Sequence, residues 1–320
     1  MPSPFPVHGA ERDRWVVAQR PARESVDPRQ PYAFFVEEEC AAGGAVVPVA
    51  TVFLTNRECP WRCAMCDLWR NTLTEPVPHG AIPVQIDYAL MRLPAARQIK
   101  LYNSGSFFDR QAIPVEDYPA IAARIAAFER VIVESHPALI GESCVQLRDL
   151  FPGQLEVAMG LETAHPEILE RLNKRMTLSQ FSAAAETLRR NTIDLRVFIL
   201  VQPPFMQPEE ALYWAERSLD AAFDCGATAA TLIPTRAGNG AVDALAQLGE
   251  FTPPRLATVE AAASYGITCK KGRVFVDLWD ARRTVSCPAC HALRIARLHQ
   301  MNLLQSIPNP VVCAICGGQS

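Results

Sequence analysis

Between residues 45 and 265, short runs of β-branched and other apolar residues alternate with segments of helical periodicity. Runs this short, bounded by helical segments, predict strands rather than buried helices. The six predicted strands are AVVPVATVFLT, QIKLYN, RVIVE, QLEVAMG, LRVFILV and ATLIP. Successive β–α units form parallel strands joined by right-handed crossovers. The sequence therefore predicts an α/β fold, and six units favour an open, partial (β/α)6 barrel over a closed eightfold one.

The alternation divides the chain into three predicted regions. Residues 1–44, which are rich in Pro, Arg and Glu, predict an extended or partly helical lead-in, and residues 45–265 form the core. Residues 266–320 break the pattern and predict a small C-terminal extension. No segment reaches the ~18 consecutive apolar residues of a membrane span, and the N-terminus lacks the apolar core of a signal peptide. We therefore expect a cytoplasmic protein with no membrane partner.

The eleven cysteines are unevenly placed. In a reducing compartment, clustered cysteines are more often metal ligands than disulfides. Four scattered cysteines are interpreted as small buried hydrophobic residues: Cys40, Cys144, Cys225 and Cys269. The other seven fall into two tight groups, Cys59, Cys63 and Cys66, followed by Cys287, Cys290, Cys313 and Cys316. Each group predicts a metal site.

The first group has CxxxCxxC spacing in the segment LTNRECPWRCAMCDLW, directly after the first predicted strand. In a parallel barrel, functional sites are built at the carboxyl ends of the strands. Three thiolates on one short loop can bind three irons of a 4Fe–4S cluster, whereas clusters that only carry electrons normally take four cysteines. The open fourth iron suits the amino and carboxylate groups of S-adenosylmethionine (SAM). A structural zinc loop is the alternative.

This arrangement resembles the radical SAM superfamily, in which CxxxCxxC follows the first strand of a partial barrel. Phrases at later strand ends extend the resemblance over roughly residues 45–255: LYNSGSFFD, IVESHP, AMGLETAHPEI and LVQPPF. They are similar to the branch that contains the Elongator catalytic subunit and the methylthiotransferases. They most resemble the radical SAM subunit of archaeosine synthase, a tRNA-base lyase of archaea.

The resemblance implies a 4Fe–4S cluster on Cys59, Cys63 and Cys66, and a set of SAM contacts. Residues 103–106 (NSGS) occupy the place of a Gly-Gly-Glu run that receives the SAM amino group in many members, and here they depart from it. Arg196 is expected to pair with the SAM carboxylate. The implied cofactor-binding residues are Met65, Asn103, Ser104, Gly105, Ser106, Glu134, Glu162 and Arg196.

The second cysteine group forms two CxxC knuckles, CPAC and CAIC, in the C-terminal extension. Four thiolates in two pairs suit tetrahedral Zn²⁺, and a second iron–sulfur cluster is the alternative. The extension is also basic, with two aspartates against seven Lys or Arg: Lys270, Lys271, Arg273, Arg282, Arg283, Arg294 and Arg297. Such a surface is typical of nucleic-acid binding, although a solvated lid would look the same.

The expected activity is reductive cleavage of SAM to give a 5′-deoxyadenosyl radical, with electrons from flavodoxin or ferredoxin. By the resemblance, the radical serves lyase-like modification of a tRNA base. A small-molecule metabolite is the alternative substrate. A non-catalytic iron–sulfur or zinc protein is disfavoured, because an electron carrier needs no 200-residue barrel and would ligate every iron.

Overall fold

The computed structural model describes residues 5–317, and its strands form one curled sheet in sequence order. The first two strands pair antiparallel, and every later pair is parallel. The strands are β1 (Ala33–Cys40), β2 (Val46–Phe53), β3 (Gln98–Tyr102), β4 (Arg130–Ser135), β5 (Gln154–Glu162), β6 (Asp194–Val201), β7 (Ala229–Pro234) and β8 (Arg273–Val276). The six predicted strands are β2 to β7, so the α/β partial barrel is confirmed, and β1 and β8 extend it.

Helices connect the strands and cover the outer face of the sheet. They are α1 (Gly9–Ala18), α2 (Ala81–Leu90), α3 (Tyr118–Ile125), α4 (Glu142–Arg148), α5 (Pro166–Arg171), α6 (Leu178–Arg190), α7 (Ala211–Asp224), α8 (Ala241–Gln247), α9 (Leu256–Cys269) and α10 (His291–Leu304). Helix α6 begins with a capping box, in which Thr177 and Gln180 satisfy each other's backbone N–H groups. None of the helices in residues 5–317 combines the length and apolar character that a membrane crossing requires.

Each strand turns alternate side chains toward the helices and toward the barrel interior. In β3, Ile99 and Leu101 belong to the main apolar core, whereas Lys100 binds carboxylates of β1. Tyr102, two residues further on, contacts the ring of Phe198 in β6 at 6.1 Å. Because β3 and β6 are not neighbours in the sheet, the two rings meet across the interior.

The lower interior of the barrel contains a buried ionic network, here called the ionic floor and formed by Glu39, Lys100, Arg130, Glu156, Arg196 and Arg273. Arg196 of β6 binds Glu156 of β5 at 2.6 Å and Glu39 of β1 at 2.5 Å. Arg273 of β8 binds Glu156 at 3.1 Å and donates to the Cys40 carbonyl of β1. The two edge strands are therefore linked through charged side chains, although their backbones do not pair.

The C-terminal segment packs on the free edge of β8. Asn302 of α10 pairs with both backbone groups of Val276 at 2.8 Å, and Gln305 pairs with those of Val274 at 2.7 and 2.9 Å. Side chains thus satisfy backbone groups that an edge strand would otherwise expose. The domain boundaries at 44/45 and 265/266 stay predictions, and the sheet runs across both of them through β1 and β8.

Candidate active site

The loop after β2 holds Cys59, Cys63 and Cys66, and neighbouring loops fix its backbone. Asn239 donates from Nδ2 to the carbonyls of Ala64 at 2.8 Å and Cys66 at 3.1 Å. Asn173 holds the Arg62 carbonyl at 2.8 Å. Burial raises the pKa of all three thiols to about 12, so that metal binding would have to displace their protons.

Apolar and aromatic contacts hold the same loop. Met65 packs against a second apolar cluster that includes Phe205, so its side chain also anchors the loop between the last two cysteines. Trp61 stacks on His136 with ring centroids 3.7 Å apart. His136 Nε2 donates to the Lys174 carbonyl at 3.0 Å, and burial lowers the pKa of this histidine to about 4, which keeps the ring neutral.

The NSGS segment after β3 lies directly against the cysteine loop. A Cβ on Gly105 would be 3.1 Å from Cys59 Cβ, so a side chain here would crowd the first cysteine. Glu134, at the end of β4, accepts a 2.6 Å hydrogen bond from the Asn103 N–H, and its burial raises its pKa to about 7. Its carboxylate therefore shapes the NSGS segment. Ser106 is bound to the Ser135 hydroxyl at 2.8 Å.

Several polar groups at these strand ends have no partner within residues 5–317. Both side-chain atoms of Asn103 are buried and unpaired, as are the hydroxyls of Thr55 and Thr235. These residues follow β3, β2 and β7 respectively. Buried polar groups are normally hydrogen-bonded, and each exception calls for an explanation. A polar ligand at the carboxyl ends of the strands would supply the missing partners, and the amino, carboxylate and ribose groups of SAM fit this donor and acceptor set.

Glu162 ends β5 in the left-handed backbone region and forms an ion pair with Lys174 at 2.6 Å. Both side chains are about nine-tenths buried. Gly160 makes room for the pair, because a Cβ there would lie 2.0 Å from Glu162 Oε1 and 2.5 Å from Lys174 Nζ. Burial alone would lower the pKa of Lys174, but Glu162 and, after it, Cys63 and Cys59 raise the pKa above its usual value, which places the charge of Lys174 beside the cysteine loop.

The structure does not bring Arg196 to this site. Its guanidinium is occupied by Glu156 and Glu39 in the ionic floor, and it stands near the start of β6 rather than at its carboxyl end. A SAM carboxylate has no access to those donors while the two pairs persist. The cation that lies beside the cysteines is instead Lys174, which was not among the predicted SAM contacts.

Sequence reasoning missed Lys174, Asn173 and Asn239. Each lies in a connection after a strand. Asn173 and Asn239 bind the cysteine loop across 111 and 175 residues of sequence, whereas Lys174 pairs with Glu162, 12 residues before it. It also missed Tyr32, whose hydroxyl shares a 3.0 Å hydrogen bond with Ser104. The one available signal was the position of Lys174, which follows GLET within the same β–α connection.

The C-terminal cysteines converge as expected. The Sγ atoms of Cys287, Cys290, Cys313 and Cys316 all lie within 4.8 Å of one another, and those of Cys290 and Cys316 are 3.7 Å apart. The arrangement forms a candidate metal site just before α10. Within the described chain it is separate from the loop of Cys59, Cys63 and Cys66, because the knuckles follow β8 and flank α10.

A partial parallel barrel with a three-cysteine loop at its strand ends is the architecture of the radical SAM enzymes. This chain shares that fold, and its similarity to curated relatives indicates an enzyme. The archaeal Elp3 of Methanocaldococcus infernus, lacking residues 1–46, matches with a TM-score of 0.51 at 14% identity. That match covers 69% of this chain and 59% of Elp3. No protein-family model matches the chain.

Curated relatives agree with this class. Archaeosine synthase subunit beta of Methanosarcina acetivorans is 28% identical over 225 residues, which cover 67% of this chain and 65% of that protein. An uncharacterized protein of Methanocaldococcus jannaschii is 24% identical over 250 residues, covering 73% and 68%. The chain thus spans about two thirds of the curated relatives that it matches. The resemblance to the radical SAM superfamily, near archaeosine synthase, is confirmed.

Proposed function

We propose that the chain cleaves SAM reductively at a 4Fe–4S cluster bound by Cys59, Cys63 and Cys66, and that it modifies a tRNA base in a lyase-like reaction. The observation that carries the proposal is the three-cysteine loop, fixed at the carboxyl ends of the strands in a radical SAM fold. When bound, the cluster would pass one electron from a flavodoxin or ferredoxin to the SAM sulfonium, giving methionine and a 5′-deoxyadenosyl radical.

The surrounding residues would bind and orient SAM. Lys174 would meet its carboxylate and Glu162 its amino group, each exchanging part of the existing 2.6 Å ion pair for a ligand contact. The unpaired amide of Asn103 would supply both a donor and an acceptor. Gly105 lets the backbone approach the ligand closely beside Cys59.

Two curated relatives, named archaeosine synthase subunit beta, support a tRNA substrate. The charge of the C-terminal extension supports a tRNA substrate less strongly than its count of Lys and Arg residues suggests. Arg273 is buried against Glu156, and Arg294 and Arg297 bind Glu260, so these three cations serve the fold. The second candidate substrate is a small-molecule metabolite. The half-buried rings of Tyr102 and Phe198 inside the barrel favour it, because they could stack against a ring of such a molecule.

The four C-terminal cysteines would hold one zinc ion. A tetrahedral ion with Zn–S bonds of ~2.3 Å places its sulfur atoms about 3.8 Å apart. The 3.7 Å separation between Cys290 and Cys316 agrees with that value. Ligands of a cubane bind different iron atoms and stand further apart, so the tight group favours a single ion over a second cluster.

The cysteine loop is tested by replacing Cys59, Cys63 and Cys66 with alanine and reconstituting the protein anaerobically with iron and sulfide. We expect loss of the cluster absorbance and of 5′-deoxyadenosine formation under reducing conditions. The double variant Cys225→Ala/Cys269→Ala, which alters two cysteines outside both groups, should keep both properties. Undiminished 5′-deoxyadenosine formation by the triple variant would refute the proposal. Mass spectrometry of tRNA incubated with the active protein tests the substrate separately.

A further inference from the structure

Trp279 is an exposed aromatic residue whose ring stacks on a neighbouring ring. It lies just after β8, and 70% of its surface is open to solvent. Its indole stacks on Phe35 of β1, with centroids 5.6 Å apart and planes 18° apart. Its N–H group in the backbone donates to Asp277 at 2.9 Å. A large aromatic side chain that is exposed while stacked on a neighbouring ring is a feature of binding surfaces.

A cavity of about 570 Å³ opens beside this indole, within the size range of small-ligand sites. Trp279, Leu278 and Ile295 give it an apolar wall, and its polar lining consists of Asp280, Arg282 and His291. The Arg282 side chain is 82% exposed, and its ion pair with Asp280 is long, at 3.8 Å. The cavity thus combines a flat ring with a weakly engaged guanidinium.

Ion pairs of Arg236 connect the cavity to the cysteine loop. This side chain binds Asp67, which follows Cys66 directly, at 3.1 Å. It also binds Asp277 at 3.6 Å and Asp280 at 3.4 Å, on either side of Trp279. The ring of Phe35 also contacts the ring of Phe53 in β2, with centroids 6.0 Å apart. The exposed indole therefore stands at the rim of the same barrel opening as the proposed cluster.

We propose that this cavity binds an unpaired nucleotide of an RNA substrate, next to the nucleotide that reacts. The base stacks on the open face of Trp279, and its phosphate pairs with the Arg282 guanidinium. Proteins bind single-stranded nucleic acid by such a combination of aromatic platform and cation. This inference rests on the proposed function, since it names a subsite for its RNA substrate.

The proposal is tested by measuring the affinity of the cluster-loaded enzyme for a tRNA transcript. Replacing Trp279 with alanine should weaken binding about 5- to 150-fold, corresponding to the ~1–3 kcal/mol of a base–aromatic stack. Trp279→Phe should retain most of the affinity. Tyr213→Ala removes another exposed aromatic residue, on α7, and should have no effect. Thermal unfolding confirms that each variant is folded.

The phosphate contact is tested through the salt dependence of binding. Arg282→Ala should weaken tRNA binding and reduce the slope of log affinity against log salt by about 1. Arg190→Ala is the matched control, because that side chain is 73% exposed on α6. Uncoupled SAM cleavage should be unchanged in both variants, since neither residue lies in the cysteine loop.

The possible outcomes separate this subsite from the proposed function. If the wild-type enzyme binds tRNA and Trp279→Ala binds it equally well, the subsite is wrong while a tRNA substrate survives. If the wild-type enzyme binds no tRNA, both the subsite and the tRNA substrate fail. Guanosine monophosphate and a single-stranded pentanucleotide are used as probes, because they distinguish a site for a free nucleotide from a site for a nucleotide within RNA. Binding of the mononucleotide as tightly as the RNA would overturn the RNA assignment.

Discussion

Arg196 Nε donates a 2.6 Å hydrogen bond to Glu156 Oε1, and both side chains are almost completely withdrawn from solvent. The same guanidinium binds Glu39 of the antiparallel edge strand. One arginine therefore links β1, β5 and β6 across the interior. Because its guanidinium is taken up by these partners, Arg196 belongs to the ionic floor and not to the proposed SAM site.

Replacing Arg196 with methionine should lower the free energy of unfolding by ~3–5 kcal/mol, because two buried carboxylates lose their main cation. Denaturant unfolding measures the change. Arg190→Met removes an arginine from the exposed pair with Glu186 and should leave the free energy of unfolding nearly unchanged. A loss below 1 kcal/mol for Arg196→Met would show that the ionic floor does not stabilise the fold.

The ionic floor also predicts how stability depends on pH. Arg196 and the neighbouring cations hold the pKa values of Glu39 and Glu156 below their usual range, although burial alone would raise them. A carboxyl group with a lowered folded pKa stabilises the fold above its unfolded pKa, and this contribution is lost as the pH falls. We expect stability from these groups to be complete above about pH 4.5 and to decline below it.

Unfolding midpoints measured between pH 3 and 7 test this dependence. In Arg196→Met, the two carboxyl groups should titrate at higher pH because a cation beside them is gone. The acid-side decline should therefore begin at higher pH in the variant than in the wild type. Identical pH profiles would show that Arg196 does not control these carboxyl groups.

The Glu162–Lys174 pair should control SAM affinity. Lys174→Met removes the cation proposed to meet the SAM carboxylate, and we expect affinity to fall about 10- to 150-fold (~1.5–3 kcal/mol). Gly160→Ala should weaken SAM binding as well, because its Cβ would displace both charged ends. Calorimetry on the cluster-loaded protein provides the measurement, and cluster absorbance shows whether the iron site is intact.

Lys271→Met is the matched control for this prediction, since Lys271 is a surface lysine paired with Asp224 at 3.1 Å. It should leave SAM affinity unchanged. Wild-type affinity in Lys174→Met would remove Lys174 from the SAM site. A loss of cluster absorbance in the same variant would instead assign the lysine a role in holding the iron.

The strands and the cysteine loop could be predicted because both leave local patterns in the sequence. Strand β1 was missed because its second half, VEEEC, carries three glutamates in succession. The burial of one of these, Glu39, is explained by its ion pair with Arg196, which lies 157 residues later in the chain. Strand β8 has only four residues, RVFV, and depends on its pairing with β7. These features are set by long-range contacts, which a local pattern does not contain.

The C-terminal cysteines should bind about one equivalent of zinc in the variant that lacks Cys59, Cys63 and Cys66. Cys290→Ser should lose this metal, and Cys269→Ser, at the end of α9, should retain it. Helix α10 begins directly after Cys290, and its Asn302, together with Gln305 just after the helix, covers the edge of β8. Loss of the metal should therefore speed amide hydrogen exchange in β8 and α10 while leaving β4 and β5 protected. Iron and sulfide in place of zinc would assign a second cluster, and absence of any metal would refute the site.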